Sequence, residues 1–118
     1  IKSLTVKSSP IASLAPISQL NSLTTINLNY TAVEDLEPLM NLNKLQHLNL
    51  AGSKVDNLKD LDELYSLQTL DISSTQVKKL KHLSNLNLAK LICFNTRISS
   101  REIDNFKEDH PNCEIQYY

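Results

Sequence analysis

Three histidines, two cysteines and a few carboxylates are the groups in this 118-residue chain that could do chemistry, and their spacing decides which chemistry is open to them. His47, Asp71 and Ser73 supply the residue types of an acyl-transfer triad: a base, a carboxylate to orient it and a hydroxyl nucleophile. Such a triad also needs the nucleophile within hydrogen-bond reach of the base, an oxyanion hole and shelter from water. Gly52 is the only glycine, so no glycine-rich turn is at hand to build an oxyanion hole or a phosphate loop. His47, His82 and His110 do not cluster, and two candidate ligands in one neighbourhood are too few for a structural zinc. Two cysteines in a chain of this length do not make a disulfide framework. Cys93 and Cys113 read as small buried hydrophobes, with a bridge between them as the alternative. The residues therefore predict no catalysis, no metal and no cofactor.

The elements that carry these groups follow from a 22-residue beat of aliphatic residues. Ile26, Leu48 and Leu70 are 22 apart, as are Leu28, Leu50 and Ile72, and Val33, Val55 and Val77. Within a unit the apolar slots are 1, 4, 6, 11, 14, 17 and 20, for example Leu45, Leu48, Leu50, Val55, Leu58, Leu61 and Leu64. Four units starting at Ile1, Leu23, Leu45 and Leu67 fill every such slot with an aliphatic residue, in a chain only 41% hydrophobic. Self-similarity at this period marks a solenoid whose units bury their apolar faces against one another. Slots 1, 4 and 6 end in the alternation of a half-buried strand. Slots 11 to 20 advance by threes, which suits short 3₁₀ turns whose side chains eclipse every third residue. Each unit is thus one short strand and a compact return path, with the strands parallel on a concave side and the returns on a convex side.

Written as Leu45-x-x-Leu48-x-Leu50-x-x-Ser53-x-Val55, the unit resembles the leucine-rich repeat. Its length, return segments such as Leu36-Glu37-Pro38-Leu39 and a closing helix are similar to the bacterial internalin-like and SDS22-like subclass. That resemblance covers essentially the whole chain. It implies an α/β repeat solenoid, a right-handed superhelix with a parallel concave β-sheet, an irregular or 3₁₀ convex side and a C-terminal helical cap. The expected division is repeats over 1–98 (1–22, 23–44, 45–66, 67–87 and a truncated 88–98) and a cap over 99–118. Slot 9, Asn or Cys in the family pattern, is Ser9, Thr31, Ser53, Thr75 and Thr96 here. Their hydroxyls are expected to bond backbone groups in the turn after each strand.

The cap has its own signature. Ser99-Ser100-Arg101-Glu102 fits a capping box, with Ile98 and Ile103 placed for a hydrophobic staple. Ile103 and Phe106 share one helical face, and His110-Pro111 ends the helix, because proline disfavours a helical residue before it. Cys113, Ile115 and Tyr117 then alternate like a last half-buried strand. At the other end Ile1 already occupies slot 1 of a full unit, so an uncovered solenoid face and further chain upstream are expected.

A net charge of −1 gives no general pull toward nucleic acid or anionic lipid, and no apolar run approaches the ~20 residues a membrane helix needs. Charge is arranged by unit on the return paths: acids at Glu34, Asp35 and Glu37 in the second, at Asp56, Asp60, Asp62 and Glu63 in the third, bases at Lys78, Lys79, Lys81 and His82 in the fourth. Register sets Asp56 beside Lys78 and Asp60 beside His82, as weak exposed pairs.

Binding is expected on the concave face, where strand alternation points slots 3, 5 and 7 outward. The residues singled out are Asn27, Tyr30, His47, Asn49, Thr69, Asp71, Ser73, Lys90, Ile92 and Phe94. Most are small and polar. Ile92 and Phe94 are large and apolar, which fits either an interface anchor or a surface hidden by the cap. The sequence thus predicts a non-catalytic protein–protein interaction module with an unidentified protein partner, no nucleic acid and no membrane insertion. The bacterial envelope or the exterior is the favoured compartment, with the cytoplasm still open. The alternative is a C-terminal stub that stabilises or spaces a larger protein.

Overall fold

The computed structural model describes residues 1–6 and 8–117. Six strands form one parallel sheet in chain order: β1 Ser3–Thr5, β2 Thr25–Asn27, β3 His47–Asn49, β4 Thr69–Asp71, β5 Lys90–Ile92 and β6 Glu114–Gln116. The register carries the sequence period into space, so that Leu4, Ile26, Leu48, Leu70, Leu91 and Ile115 stand in one column. Each return path holds one 3₁₀ turn, at Ala15–Ile17, Glu37–Leu39, Lys59–Leu61 and Lys81–Leu83. The leucine of slot 14 precedes each turn and the aliphatic of slot 17 closes it, as expected for side chains that repeat every third residue.

Backbone pairing extends beyond the strands. Slot 2 donates to the preceding rung (Gln46 N to Thr24 O, 2.8 Å; Gln68 N to Gln46 O, 2.7 Å), and slot 8 donates to the next (Tyr30 N to Ala51 O, 2.7 Å). A separate inter-rung bond sits at the start of the return: Ala32 N to Ile11 O, Lys54 N to Val33 O, Gln76 N to Val55 O and Arg97 N to Val77 O. Rungs are therefore pinned to their neighbours at two places around the coil. This satisfies backbone groups that a structureless return would leave unpaired.

The core is the column of slots between rungs. In the second to fourth rungs every slot is buried, and Leu50, Leu61 and Leu64 are wholly inaccessible. In the first rung only Leu14 is buried; Leu4, Val6, Ile17 and Leu20 are half-buried, while Ile1 and Ile11 are exposed.

At the other end, helix α1 (Ser100–Asp109) lies over the fifth rung and buries Ile103 and Phe106. Ser99 is its N-cap, the hydroxyl accepting from Glu102 N at 3.1 Å. The capping box is closed on this side only; among the described residues the Glu102 carboxylate makes no return bond to Ser99 N. The helix stops at His110, whose ring stacks on Phe106 at 4.0 Å and whose Nε2 approaches Ser84 O at 3.0 Å, tying the cap to the fourth rung. β6 then adds a sixth strand to the sheet edge. Lys107 Nζ donates to Tyr117 Oη and lies over the Tyr117 ring, fastening the helix to the strand that follows.

Two expectations need correction. The slot-9 hydroxyls of Thr31, Thr75 and Thr96 donate back to the carbonyl three residues earlier (Leu28, Ile72 and Cys93, at 2.8, 2.6 and 3.4 Å), and Ser9 accepts from Ile11 N. Ser53 Oγ, however, is buried without a partner. The convex pairs Asp56–Lys78 and Asp60–His82 do not close either. Among the described residues no ion pair forms within 4.0 Å, because exposed side chains gain too little from pairing to fix their rotamers.

Leu50→Ala or Leu61→Ala is expected to cost about 2–5 kcal/mol through the cavity left in a shared core, and Leu4→Ala clearly less, because Leu4 is only half-buried; chemical denaturation of the three variants measures the order. Ser99→Ala should cost about 1 kcal/mol, the usual worth of one N-cap. Phe106→Asp, by contrast, should broaden or abolish the cooperative melt followed by circular dichroism, since it drives a charge under the helix.

Candidate functional site

The outward slots of the strands form two polar columns on the concave face. Slot 3 runs Thr25, His47, Thr69, Lys90 and slot 5 runs Asn27, Asn49, Asp71, Ile92, each residue paired with its neighbour in the sheet register. All are half-buried, and most of them line one shallow depression of about 210 Å³ spanning β2 to β5. The structure thus brings together six of the residues singled out from sequence: Asn27, His47, Asn49, Thr69, Asp71 and Ile92. Lys90 stands in the same column, one rung further on. Tyr30, Ser73 and Phe94 sit beyond the strand ends, outside the lining of the depression; Tyr30 and Phe94 are exposed, at 60% and 38%. On the fifth rung Ile92 is half-buried and Phe94 keeps about a third of its surface accessible, at 38%.

The hydrogen bonds show that this face also works for the fold. Asn27, Asn49 and Asp71 each accept, through Oδ1, the backbone N–H two residues on: Asn29 at 3.1 Å, Ala51 at 2.9 Å, Ser73 at 3.0 Å. These are Asx turns, and they steer the chain out of each strand. Sequence reading assigned these side chains to binding alone and missed the turn; the signal was an Asn or Asp at the same slot of three successive units. Ile92 cannot accept, and on that rung Ser73 Oγ reaches across to take Phe94 N at 3.0 Å. His47 Nδ1 meets Thr69 Oγ1 at 2.6 Å. The triad types are therefore each bonded elsewhere: the histidine to Thr69, the carboxylate to the Ser73 amide, the serine hydroxyl to the Phe94 amide.

Past the strand the backbone goes left-handed on every rung, with or without an Asx turn before it. Slot 8 has φ of +52° at Ser8, +58° at Tyr30, +72° at Gly52, +56° at Ser74 and +53° at Asn95. Only one of the five is glycine, and a bulky residue such as Tyr30 in this region is an outlier. The Tyr30 ring lies against Gly52, where an added Cβ would fall 2.4 Å from Tyr30 Cδ1. The single glycine thus has two reasons to be where it is, its own φ and the ring of the rung below. Asn29 Oδ1, one residue before Tyr30, is buried without a partner.

Both thiols are free. No disulfide joins Cys93 to Cys113, so the bridge left open by the sequence does not form here. Cys93 is buried, and its thiol is pushed up to about 11 by that burial first, then by the Asp71 carboxylate and Cys113. Burial raises Cys113 as well. Among the described residues no three His, Cys, Asp or Glu side chains converge to hold a metal ion, and no helix is long and apolar enough to cross a membrane.

Two outcomes are expected here. Gly52→Ala should lower stability by about 1–3 kcal/mol, and pairing it with Tyr30→Ala should recover part of that loss, since one of its two causes is removed; thermal melts of single and double variants measure the coupling. The raised thiol means that the folded chain holds the Cys93 proton more tightly than the unfolded chain. Its contribution is full below the ordinary value of 9.0 and is lost as pH climbs toward about 11. Unfolding free energies across that window should fall more steeply for the native chain than for Cys93→Ala, which lacks the titrating group.

No family model and no curated protein matches the chain. Solved structures do. Internalin C2 of Listeria monocytogenes superposes with a TM-score of 0.87 at 30% identity, over 100% of this chain and 54% of that one. Internalin F of the same organism gives 0.74 at 19% identity, over 100% and 43%, a likeness of fold alone. A leucine-rich repeat protein of Leptospira interrogans gives 0.78 at 26% identity, over 89% and 28%. The chain spans about half or less of the length of each. With the parallel sheet in 22-residue register, the 3₁₀ returns and the helical cap, these likenesses make the chain an internalin-like leucine-rich repeat domain.

Proposed function

We propose that this domain is a non-catalytic protein-recognition module which takes a protein partner on its concave face. In this reading repeats 1–98 present the surface, residues 99–118 close the end of the stack, and the whole is part of a longer chain at the bacterial envelope or outside the cell. The observation that carries the proposal is the depression across β2 to β5, lined by polar groups with hydrogen-bonding capacity left over, on a domain that also exposes the Tyr30 ring. Asn27 and Asn49 each give Oδ1 to a turn and keep an amide N–H₂ to donate outward, and Asp71 keeps its second carboxylate oxygen. Aromatic anchors around a polar field are what protein interfaces use. Catalysis finds no support, because the candidate base, acid and nucleophile are each bonded to other groups. Neither nucleic acid nor membrane insertion enters the proposal.

The same Asx turns favour a second reading, in which the polar columns serve the solenoid alone and the domain acts as a stabilising or spacing stub. The test must therefore change the surface without breaking the turns. Asp71→Asn and Asn49→Asp each retain Oδ1 as the acceptor while altering charge, and Tyr30→Ser and Phe94→Ser remove the two aromatic rings beyond the strand ends. A partner captured by the native domain and lost to this combined variant, at an unchanged melting temperature, supports concave recognition. Equal recovery by both, or no partner at all, supports the structural reading.

A further inference from the structure

The convex side carries a second feature, independent of the concave face. A groove of about 600 Å³ runs between the third, fourth and fifth rungs. Residues of all three line it: Asp56, Asn57 and Leu58 from the third, Gln76, Lys78, Lys79, Lys81 and His82 from the fourth, Arg97 from the fifth. The inter-rung bonds Gln76 N to Val55 O and Arg97 N to Val77 O bring these segments side by side. Lys78, Lys79, Lys81 and Arg97 put four permanent cations into the groove against the single carboxylate of Asp56, in a chain whose net charge is −1. None of the four closes an ion pair within 4.0 Å among the described residues. Asn57 Oδ1 accepts from Lys59 N, which leaves its amide N–H₂ as a further donor, and Gln76 supplies another.

We propose that this groove is an anion site for a compact ligand carrying two or three linked phosphate groups. Unpaired cations held close together in one concavity repel each other and are relieved by a multivalent anion rather than by scattered counterions. Lysine ammonium groups bind phosphate as point charges, and Arg97 adds a fork that can take two oxygens. The ligand must be compact. The second and third rungs alongside carry Glu34, Asp35, Glu37, Asp62 and Glu63, all exposed, which repel any extended anionic surface or polymer. No Phe, Tyr or Trp lines the groove.

The test is calorimetric titration of the domain with sodium tripolyphosphate, with amide shifts followed by NMR. One saturable site is expected, weakening as salt rises, with shifts confined to residues 76–82 and Arg97 and their third-rung neighbours. Lys79→Glu with Lys81→Glu should weaken binding by about tenfold or more, since two attractions become repulsions, whereas Lys44→Glu, outside the groove, should change it by less than about twofold. All of these side chains are exposed, so the melting temperature should stay put in each variant. Absence of a saturable site, shifts centred elsewhere, or indifference to the Lys79–Lys81 reversal would overturn the proposal. Tighter binding of a hexaglutamate peptide or of phosphatidylglycerol vesicles than of tripolyphosphate would overturn the assignment to compact phosphates.

Discussion

Everything in this domain depends on one constraint: no rung can bury its own apolar side. A strand of three residues and a single 3₁₀ turn enclose nothing. The leucines of a rung leave water only because the rungs above and below stand in the same register. Stability is therefore a chain of nearest-neighbour terms. Leu88, Leu91 and Cys93, in the rung beside the cap, are buried in the same cluster as Ile103 and Phe106 of α1. Ile103 and Phe106 substitute for the next rung, each burial worth roughly 1.5–3 kcal/mol before entropy is subtracted.

The same register imposes a recurring local problem. At the end of each strand the chain must turn sharply toward the convex side while still donating to the rung beside it. The second and fourth rungs show the full solution: an Asn or Asp takes the amide two residues on, the backbone then goes left-handed, and a slot-9 hydroxyl returns a bond to the carbonyl three residues earlier. Where one part is missing a neighbour supplies it, as Ser73 does for the rung of Ile92. Where a part is present but not used, as with Ser53 Oγ, the group is left buried and unpaired in a region otherwise held by backbone bonds.

This has a bearing on how such a surface can bind. Concave side chains that hold turns are fixed in place before any partner arrives, which lowers the entropy lost on association. Asn27, Asn49 and Asp71 are in that position: half of each side chain is structural and the other half faces out. Convex residues are under no such demand. Lys78, Lys79 and Lys81 need only remain solvated for the fold to form, so their charge is set by something other than packing.

The sequence by itself determined the period, the strand and turn positions, the core column and the helical cap, because each rests on side-chain identity at a fixed spacing, and spacing alone says which residues can face inward. Leu48 and Leu50 could occupy no other side of their strand. Ser99 and Glu102, with Pro111, marked the helix limits by local bonding and sterics that need no distant partner. The tertiary structure decided what depends on contact across rungs. That Gly52 must lie under the Tyr30 ring, that Ser53 is an orphan while Thr31 is not, and that Asp56 and Lys78 stand side by side without pairing are matters of tenths of an ångström and of competing solvation. So too is the concave depression: strand alternation told which side chains point out, but only the stacked sheet fixed which of them share one hollow and which atoms the turns had already taken.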